Sequence, residues 1–309
     1  MDTPELVERA LGGDRRAIAR MISLVEDGGP DLGRVMQSLY PKTGHAYSIG
    51  VTGAPGAGKS SLTDRIVGRA RAHELTVGVL AIDPSSPFSG GVLLGDSVRM
   101  QGHATDPGVF IRSMATRGHL GGLSLAAPEA VRVLDAVGND IVIIETVGVG
   151  QAEVEITDAC DTTLVVLTPG MGDAVQAAKA GLMEIADVYV INKADRPGTK
   201  EIVRELRNML QMSDAEWKPP IVETVAIKDQ GTVELWEAVE KHRAYQEERG
   251  LLETRRRRRI LREIKEIVAE RYRDRIETEA TATLETLVDE VVGRRLDPYA
   301  AADRLIQSL

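Results

Sequence analysis

Residues 46–74 read AYSIGVTGAPGAGKSSLTDRIVGRARAHE: an apolar run, a glycine-rich turn and a stretch whose apolar residues recur at helical spacing. The turn, GAPGAGKS at 53–60, matches G-x-x-x-x-G-K-S, the pattern that follows a strand and opens a helix in phosphate-binding loops. Its glycines let the backbone wrap with the N–H groups pointing inward, and the helix adds the positive end of its dipole. The pattern therefore predicts a nucleotide-binding site at the end of a strand.

The side chains of this loop suit phosphoryl transfer. Lys59 supplies the cation that reaches the β- and γ-phosphates, Ser60 supplies a hydroxyl ligand for Mg²⁺, and Ser61 hydrogen-bonds the α-phosphate. We expect the whole loop to contact the nucleotide, namely Gly53, Ala54, Pro55, Gly56, Ala57, Gly58, Lys59, Ser60 and Ser61.

Short apolar runs alternate with helical stretches through the middle of the chain. Such runs are TVGVLAID at 76–83, DIVIIET at 140–146, TTLVVLT at 162–168 and DVYVINK at 187–193. The alternation is typical of βαβ crossovers, so it predicts an α/β fold with a doubly wound, mostly parallel sheet covered on both faces. The predicted regions are an N-terminal helical extension at 1–42, a P-loop domain at 43–230 and a C-terminal helical extension at 231–309.

Composition limits the class of protein. The 309 residues carry a formal charge of −9, which argues against a general nucleic-acid binder because phosphate backbones need a positive surface. The single cysteine, Cys160, excludes an internal disulfide and any Cys-x-x-Cys site. The sequence shows no signal peptide and no apolar run near the roughly 20 residues that span a bilayer, so we predict a cytoplasmic protein without a membrane partner.

A second motif selects the base. VINKAD at 190–195 follows an apolar run, so its polar side chains are expected at the carboxyl end of a strand, where ligands of such sheets bind. Asp195 can accept hydrogen bonds from guanine N1–H and the exocyclic amine, whereas adenine would leave this carboxylate unpaired. Asn192 can tie this segment to the phosphate loop, and Lys193 can lie along the purine. The motif predicts GTP and GDP rather than ATP as ligands.

A further base contact is expected in ETVAIKDQG at 223–231. Guanine sites commonly use a small residue whose backbone N–H meets the purine O6, and Ala226 is the candidate, with Val225 and Ile227 beside it. Val225 stands where a serine or threonine is usual.

Carboxylates at strand ends are the candidate ligands of the magnesium shell. Asp83, Asp96 and Glu145 are expected to join Ser60, acting through water as much as directly, because Mg²⁺ keeps several of its waters. Glu145 opens Glu-Thr-Val-Gly where nucleotide switches usually have Asp-x-x-Gly. Val149 follows that glycine in place of a glutamine, and Gln151 is displaced by two residues, so the group that positions the attacking water is missing from its usual place.

Longer blocks carry a resemblance to a known family. They are GAPGAGKSSL at 53–62, IDPSSPFSGGVLLGDSVRM at 82–100, FIRSMATRGHLGGLS at 110–124, ETVGVGQAEVEI at 145–156 and PGMGDAVQAAKAGLMEIADVYVINKAD at 169–195. With them, nearly the whole chain resembles the MeaB/ArgK family of P-loop GTPases. That family belongs to the wider class of signal-recognition-particle and nickel-chaperone GTPases.

The resemblance implies a function and a partner. A GTPase of this family is a chaperone of adenosylcobalamin-dependent methylmalonyl-CoA mutase, gating cofactor loading and protecting or reactivating the mutase. It implies a homodimer built by the C-terminal helices, and Asp83, Asp96 and Glu145 as the magnesium-shell acids. The segment 170–179 resembles a switch through which the mutase accelerates slow intrinsic hydrolysis, with Asp173 and Lys179 as its working residues.

Three other functions stay open. A metallochaperone GTPase would carry Cys/His clusters, which one cysteine and five histidines do not provide. An ATP-using kinase linked to basic amino-acid transport, an older label of the family, would need an ATP-type base pocket, against Asp195. A nucleotide-sensing scaffold with little turnover would not need Lys59, Ser60 and the acids together.

Five consecutive arginines, Arg255–Arg259, precede an apolar stripe of Ile260, Leu261, Ile264, Ile267 and Val268. The spacing is typical of an amphipathic helix, and we interpret the arginines as part of its solvated face. Binding of an acidic partner or of a phosphate-bearing ligand is the alternative.

Overall fold

The computed structural model describes residues 3–28, 31–83, 100–103, 105–115, 123–146, 159–170 and 185–308. Its strands are β1 (Tyr47–Gly53), β2 (Val77–Asp83), β3 (Val109–Ala115), β4 (Ile141–Thr146), β5 (Thr162–Leu167), β6 (Val188–Asn192) and β7 (Ile221–Thr224). The α-helices are α1 (Thr3–Leu11), α2 (Arg15–Asp27), α3 (Leu32–Leu39), α4 (Lys59–Ala72), α5 (Leu123–Ala136), α6 (Thr199–Gln211), α7 (Thr232–Glu248), α8 (Leu251–Glu279), α9 (Thr281–Val292) and α10 (Pro298–Ser308).

These strands form one sheet in the order β3-β2-β4-β1-β5-β6-β7, and every pair in it is parallel. The predicted α/β fold with a doubly wound parallel sheet is therefore confirmed. β1 lies between β4 and β5: the crossover after β1 leads to β2 on one side of it, and the crossover after β4 leads to β5 on the other side. Ligands of doubly wound sheets bind at such a switch point, beyond the carboxyl ends of the strands.

Helices cover both faces of the sheet, as the alternation of side chains along β4 shows. Val142 and Ile144 pack into a core formed with α1, α2, α3 and α5, whereas Ile141 and Ile143 pack into a core formed with α4 and α7. Because successive side chains of a strand point to opposite faces, a strand covered on both sides must be apolar throughout. Beyond β5 and β6, a smaller core is closed by α6.

The chain divides into two compact units, Met1–Arg259 and Ile260–Leu309. The second unit has a small core of its own, in which Ala280, Leu287 and Leu305 are buried. The predicted boundaries at residues 42 and 230 stay predictions. Within the described part of the chain, no helix combines the length and the apolar character needed to cross a membrane.

The interpretation of the five arginines at 255–259 as a solvated helix face is wrong for three of them. Arg256 and Arg259 both form ion pairs with Asp161, at 2.7 and 3.1 Å, and Arg255 pairs with Asp187 at 2.9 Å. Asp161 is only 1% exposed, and Asp161 and Asp187 directly precede β5 and β6. Three of the five arginines therefore bind α8 to the amino-terminal edge of the sheet.

Candidate functional site

The glycine-rich loop connects β1 to α4 at the switch point of the sheet. Gly53, at the end of β1, has a φ of 139°, and a Cβ there would lie 2.2 Å from the carbonyl oxygen of Val166 in β5. Gly58, with a φ of 88°, leaves room for Asn192, whose Nδ2 would lie 2.4 Å from an added Cβ. Only glycine accommodates both the positive φ and the close approach, which explains these two positions of the motif.

Lys59 is the first residue of α4 and is only 5% exposed. Its Nζ donates hydrogen bonds to the carbonyl oxygens of Gly53, at 2.5 Å, and Ala54, at 3.1 Å. The ammonium group is therefore held over the loop that its helix follows, where it can turn to a phosphate without a large movement.

Ser60 and Glu145 meet beside this loop. Ser60 Oγ donates a hydrogen bond to Glu145 Oε1 across 2.5 Å, and Glu145 is 3% exposed in β4. A hydroxyl and a carboxylate in contact supply hard oxygen ligands, the kind that Mg²⁺ prefers. These two residues therefore fit a magnesium ion next to the phosphate loop.

An open pocket of about 460 Å³ lies over the loop. It is lined by Pro55, Gly56, Gly58, Lys59, Ser60, Ser61 and Glu145. Its volume is within the range of small-molecule sites. The structure thus brings together most of the loop residues expected to contact phosphate and one of the three predicted acids.

Asn192 joins the predicted guanine-binding segment at 190–195 to the phosphate loop. Its Nδ2 donates to the carbonyl oxygen of Ala57 at 2.9 Å, while its Oδ1 accepts from the Thr224 hydroxyl and the Ala226 amide, both at 3.2 Å. Asn192 is 2% exposed, so these bonds are sheltered from water. We expect the Ala226 amide to donate to the purine O6. The amide hydrogen would then be shared between Asn192 Oδ1 and the base, or its bond to Asn192 would be replaced by the bond to the base.

Lys193 and Asp195 lie at the same edge of the sheet. Lys193 adopts a φ of 58°, and its Nζ donates to the carbonyl oxygen of Gly56 at 2.7 Å. Asp195 forms an ion pair with Lys228 at 2.8 Å, and this hydrogen bond lowers the pKa of the Asp195 carboxyl below its ordinary value. The carboxylate is therefore ionised and partly exposed, in the state required to accept hydrogen bonds from guanine.

Val225 and Ile227, the other two candidates for base contacts, differ in environment. Val225 is buried and pairs with Gln230 through two backbone hydrogen bonds, whereas Ile227 is 75% exposed. Ile227 is therefore available to a ligand at the surface, and Val225 supports the turn beneath it.

Sequence reasoning missed two residues of this edge. Arg65, in α4, donates from Nε to the carbonyl oxygen of Ala226 at 2.9 Å. This bond holds the turn at Ala226, which we call the base turn, against α4. Lys228 orients Asp195, as described above. The sequence shows a lysine two residues after Ala226. Its partner Asp195 lies 33 residues away, however, and no spacing pattern connects the two.

Several predicted residues lie outside the described part of the chain. They are Asp96, Val149, Gln151, Asp173 and Lys179. Asp83 ends β2, but its side chain is not among those described. The backbone of β2 nevertheless runs beside that of β4, with Ala81 opposite Glu145. The carboxyl ends of the two strands therefore face the same edge of the sheet.

Comparison with known proteins links this chain to one family. The family model described as Methylmalonyl Co-A mutase-associated GTPase MeaB matches residues 18–281. A relative from Pyrococcus horikoshii is 49% identical over 310 residues, covering 99% of this chain and 98% of its own. The fused isobutyryl-CoA mutase of Cupriavidus metallidurans is 37% identical over 219 residues, which is 69% of this chain and 20% of that protein.

A solved structure shares the fold. The crystal structure described as an LAO/AO transport system kinase aligns with a TM-score of 0.73 and 26% identity, covering 99% of this chain and 96% of that one.

Proposed function

The chain belongs to the MeaB family of methylmalonyl-CoA mutase-associated GTPases, and we propose that it is the GTP-hydrolysing chaperone of such a mutase. The partner is an adenosylcobalamin-dependent methylmalonyl-CoA mutase in the cytoplasm. The GTPase gates the loading of its cofactor and protects or reactivates it. One observation carries this proposal: a region 37% identical to 69% of this chain is part of the protein named fused isobutyryl-CoA mutase.

GTP hydrolysis is the activity of this family, and we assign its steps to residues of the pocket. Phosphoryl transfer to water depends mainly on positioning and on neutralising charge. Lys59 moves from the carbonyl oxygens of Gly53 and Ala54 to the β- and γ-phosphates, and the amides of the loop bind the remaining phosphate oxygens. Asp195, Asn192 and the turn at Ala226 recognise guanine.

We further propose that Ser60 and Glu145, with Asp83 and Asp96, hold Mg²⁺ at this site. The ion, when bound, neutralises charge that develops on the phosphate oxygens. Ser60 would be a direct ligand, and Glu145 would orient the Ser60 hydroxyl by the hydrogen bond between them. The carboxylates would also order the waters that Mg²⁺ retains.

We expect slow intrinsic turnover because Val149 stands where a water-positioning glutamine is usual. Val149 has no group that can hydrogen-bond an attacking water, so we expect the mutase to supply the missing order. We propose that it does so through the switch at 170–179, with Asp173 and Lys179 as its working residues. The change Lys179→Ala is expected to remove the acceleration by mutase and to leave nucleotide affinity unchanged.

The test compares GTP turnover by the full chain alone and with the purified mutase of the same organism. A complex that co-elutes and a turnover rate that rises with mutase concentration support the proposal. The variant Lys59→Ala in the same mixture shows how much turnover belongs to this chain. Equal rates with and without mutase, and no co-elution, contradict the chaperone proposal and leave a GTPase whose partner is another protein.

We also propose that the protein is a homodimer built by its C-terminal helices. Leu261, Ile264, Val268 and Tyr272 recur every three or four residues along α8 and are 56%, 54%, 48% and 45% exposed. Side chains at this spacing form one apolar stripe, and a matching stripe on a second copy is a partner that would bury it.

A second candidate function has one observation in its favour. The solved structure at 26% identity is described as a transport system kinase, which corresponds to the ATP-using alternative. Displacement of labelled GDP by GTP and by ATP separates the two functions. Displacement by ATP supports the kinase, whereas displacement by GTP alone supports the GTPase.

A further inference from the structure

A second cavity, of about 450 Å³, lies in the first unit near the amino-terminal end of β6. We call it the aromatic pocket and define it by Asp187, Trp217, His242, Tyr245, Arg255 and Arg258, which line it. Asp187 directly precedes β6, whereas the phosphate loop follows the carboxyl end of β1. The aromatic pocket is therefore at the opposite edge of the sheet from the nucleotide site.

The apolar wall of this pocket is a fixed aromatic cluster. Trp217 donates from Nε1 to the carbonyl oxygen of Asp187 at 2.9 Å, which sets the orientation of the indole. Its ring centroid lies 4.8 Å from that of His242 and 4.7 Å from that of Tyr245. A ligand that stacks on these rings does not have to order them first, so little affinity is lost to side-chain entropy.

The acidic group of the pocket pairs with Arg255 and not with Arg258. Asp187 accepts from Arg255 at 2.9 Å and lies 3.3 Å from His242 Nε2. Burial lowers the pKa of His242, so this ring adds no positive charge near neutral pH. Arg258 is exposed and, among the residues that the structure describes, has neither an ion pair nor a hydrogen bond. The pocket therefore has a net positive charge, in a chain whose formal charge is −9.

We propose that the aromatic pocket binds a small anion attached to a planar ring. Arg258 contacts the carboxylate or phosphate, because a guanidinium presents parallel N–H groups that match the oxygens of either anion. Trp217 stacks on the ring, and Tyr245, whose own ring carries the Arg249 guanidinium at 4.4 Å, packs against the indole. The ring accounts for the aromatic wall and the anion for the unpaired guanidinium, and neither part depends on the proposed chaperone function.

The experiment uses the full chain saturated with GDP, so that the phosphate loop is occupied. Isothermal titration calorimetry measures binding of phenyl phosphate, benzoate and AMP, which combine a ring with an anion. Phenol, adenosine and inorganic phosphate supply each half alone. The test variant is Arg258→Ala. The matched control is Arg257→Ala, which removes the same charge. Arg257 is the neighbouring exposed arginine and does not line the pocket.

We expect saturable binding of at least one ring-bearing anion, and weaker or no binding of the separate halves. Arg258→Ala should weaken that binding about tenfold or more, as expected for loss of a charge-assisted hydrogen bond, and Arg257→Ala should leave it unchanged. Comparison of benzoate with phenyl phosphate identifies the preferred anion. No saturable binding of any probe overturns the proposal. Equal weakening by both variants also overturns it, because it indicates a general charge effect.

Discussion

Ser60 Oγ and Glu145 Oε1 are 2.5 Å apart, so the first turn of α4 is hydrogen-bonded directly to the carboxyl end of β4. This contact explains why a glutamate stands where nucleotide switches usually have aspartate. The additional methylene brings the carboxylate across to the serine hydroxyl, while the backbone of β4 stays in register with β1, Val51 opposite Glu145.

Shortening this side chain should therefore impair the use of magnesium. In Glu145→Asp the carboxylate no longer reaches the Ser60 hydroxyl, and we expect the Mg²⁺ concentration for half-maximal GTP turnover to rise about tenfold, the loss of one charge-assisted hydrogen bond. Turnover measured against Mg²⁺ concentration checks this. Glu145→Gln keeps the length and an acceptor for Ser60 but removes the negative charge, so we expect a rise in this variant too; a smaller rise than in Glu145→Asp would show that the reach of the side chain contributes. Removal of Mg²⁺ with EDTA should stop turnover, and persisting turnover would contradict the proposed magnesium site.

Lys59 should contribute to nucleotide affinity. We expect Lys59→Ala to weaken GTP binding about a hundredfold, because charge-assisted hydrogen bonds contribute about 1.5–3 kcal/mol each and the ammonium reaches two phosphates. Fluorescence titration with a labelled GTP analogue measures the change. Lys200→Ala removes an exposed lysine of α6 and is the matched control. An unchanged affinity in Lys59→Ala would show that the loop amides alone bind the phosphates.

Asp195 should determine the choice of base. In Asp195→Asn the side chain can no longer accept two hydrogen bonds from guanine, but its amide can donate to the 2-carbonyl of xanthine. We therefore expect GTP affinity to fall about tenfold to a hundredfold and XTP affinity to rise. Lys228→Met keeps the carboxylate and removes only the residue that orients it, so a smaller loss and no gain for XTP are expected. Retained GTP preference in Asp195→Asn would contradict the assignment.

The buried carboxylate of Asp161 should make stability depend on pH. Burial alone would raise the pKa of Asp161, but Arg259 and Arg256 outweigh it and hold the pKa below the ordinary value of 3.8. The unfolded chain then binds more protons than the folded one in acid, so this stabilisation is present above that value and is lost as the pH falls through the lowered pKa. Urea unfolding at several pH values checks this, and in Asp161→Asn the acid-side slope should decrease.

The same ion pairs distinguish two neighbouring arginines. Arg256 donates hydrogen bonds to both oxygens of Asp161 and to the carbonyl oxygens of Gly44 and Ala46. Its removal leaves a buried carboxylate with two of its four hydrogen bonds, so we expect Arg256→Ala to lower the free energy of unfolding by about 3 kcal/mol. Arg257→Ala, which removes an exposed guanidinium, should change it by less than about 0.5 kcal/mol. Similar values for both variants would contradict the structural role of Arg256.

The apolar stripe of α8 should control the oligomeric state. We expect Ile264→Glu to convert the proposed dimer to a monomer, because a carboxylate in the middle of an apolar interface would be buried without a partner. Sedimentation equilibrium measures the mass of each variant. Lys265→Glu introduces the same group at the next, polar position and should leave the dimer intact. A wild-type monomer at micromolar concentration would contradict the homodimer proposal directly.

The parts of this protein that the sequence predicted are those encoded by local patterns. The phosphate loop was recognisable because strand, turn and helix follow one another within residues 46–74, and alternating apolar runs indicated the parallel sheet. The strand order β3-β2-β4-β1-β5-β6-β7 does not follow from alternation alone, because many orders satisfy it. The role of Arg256 could not be predicted either. Its partner Asp161 lies 95 residues away, and in sequence the arginine run has the composition of a solvated helix face.

Asn192 bears on the kinetics of nucleotide exchange. One side chain holds Ala57 of the phosphate loop, and also Thr224 and Ala226 of the base turn. Displacing the segment proposed to recognise guanine therefore strains the phosphate loop. GDP should leave in a single concerted event, without an intermediate in which the base is free and the phosphates are still bound. A partner that controls nucleotide release can then act from either side of Asn192.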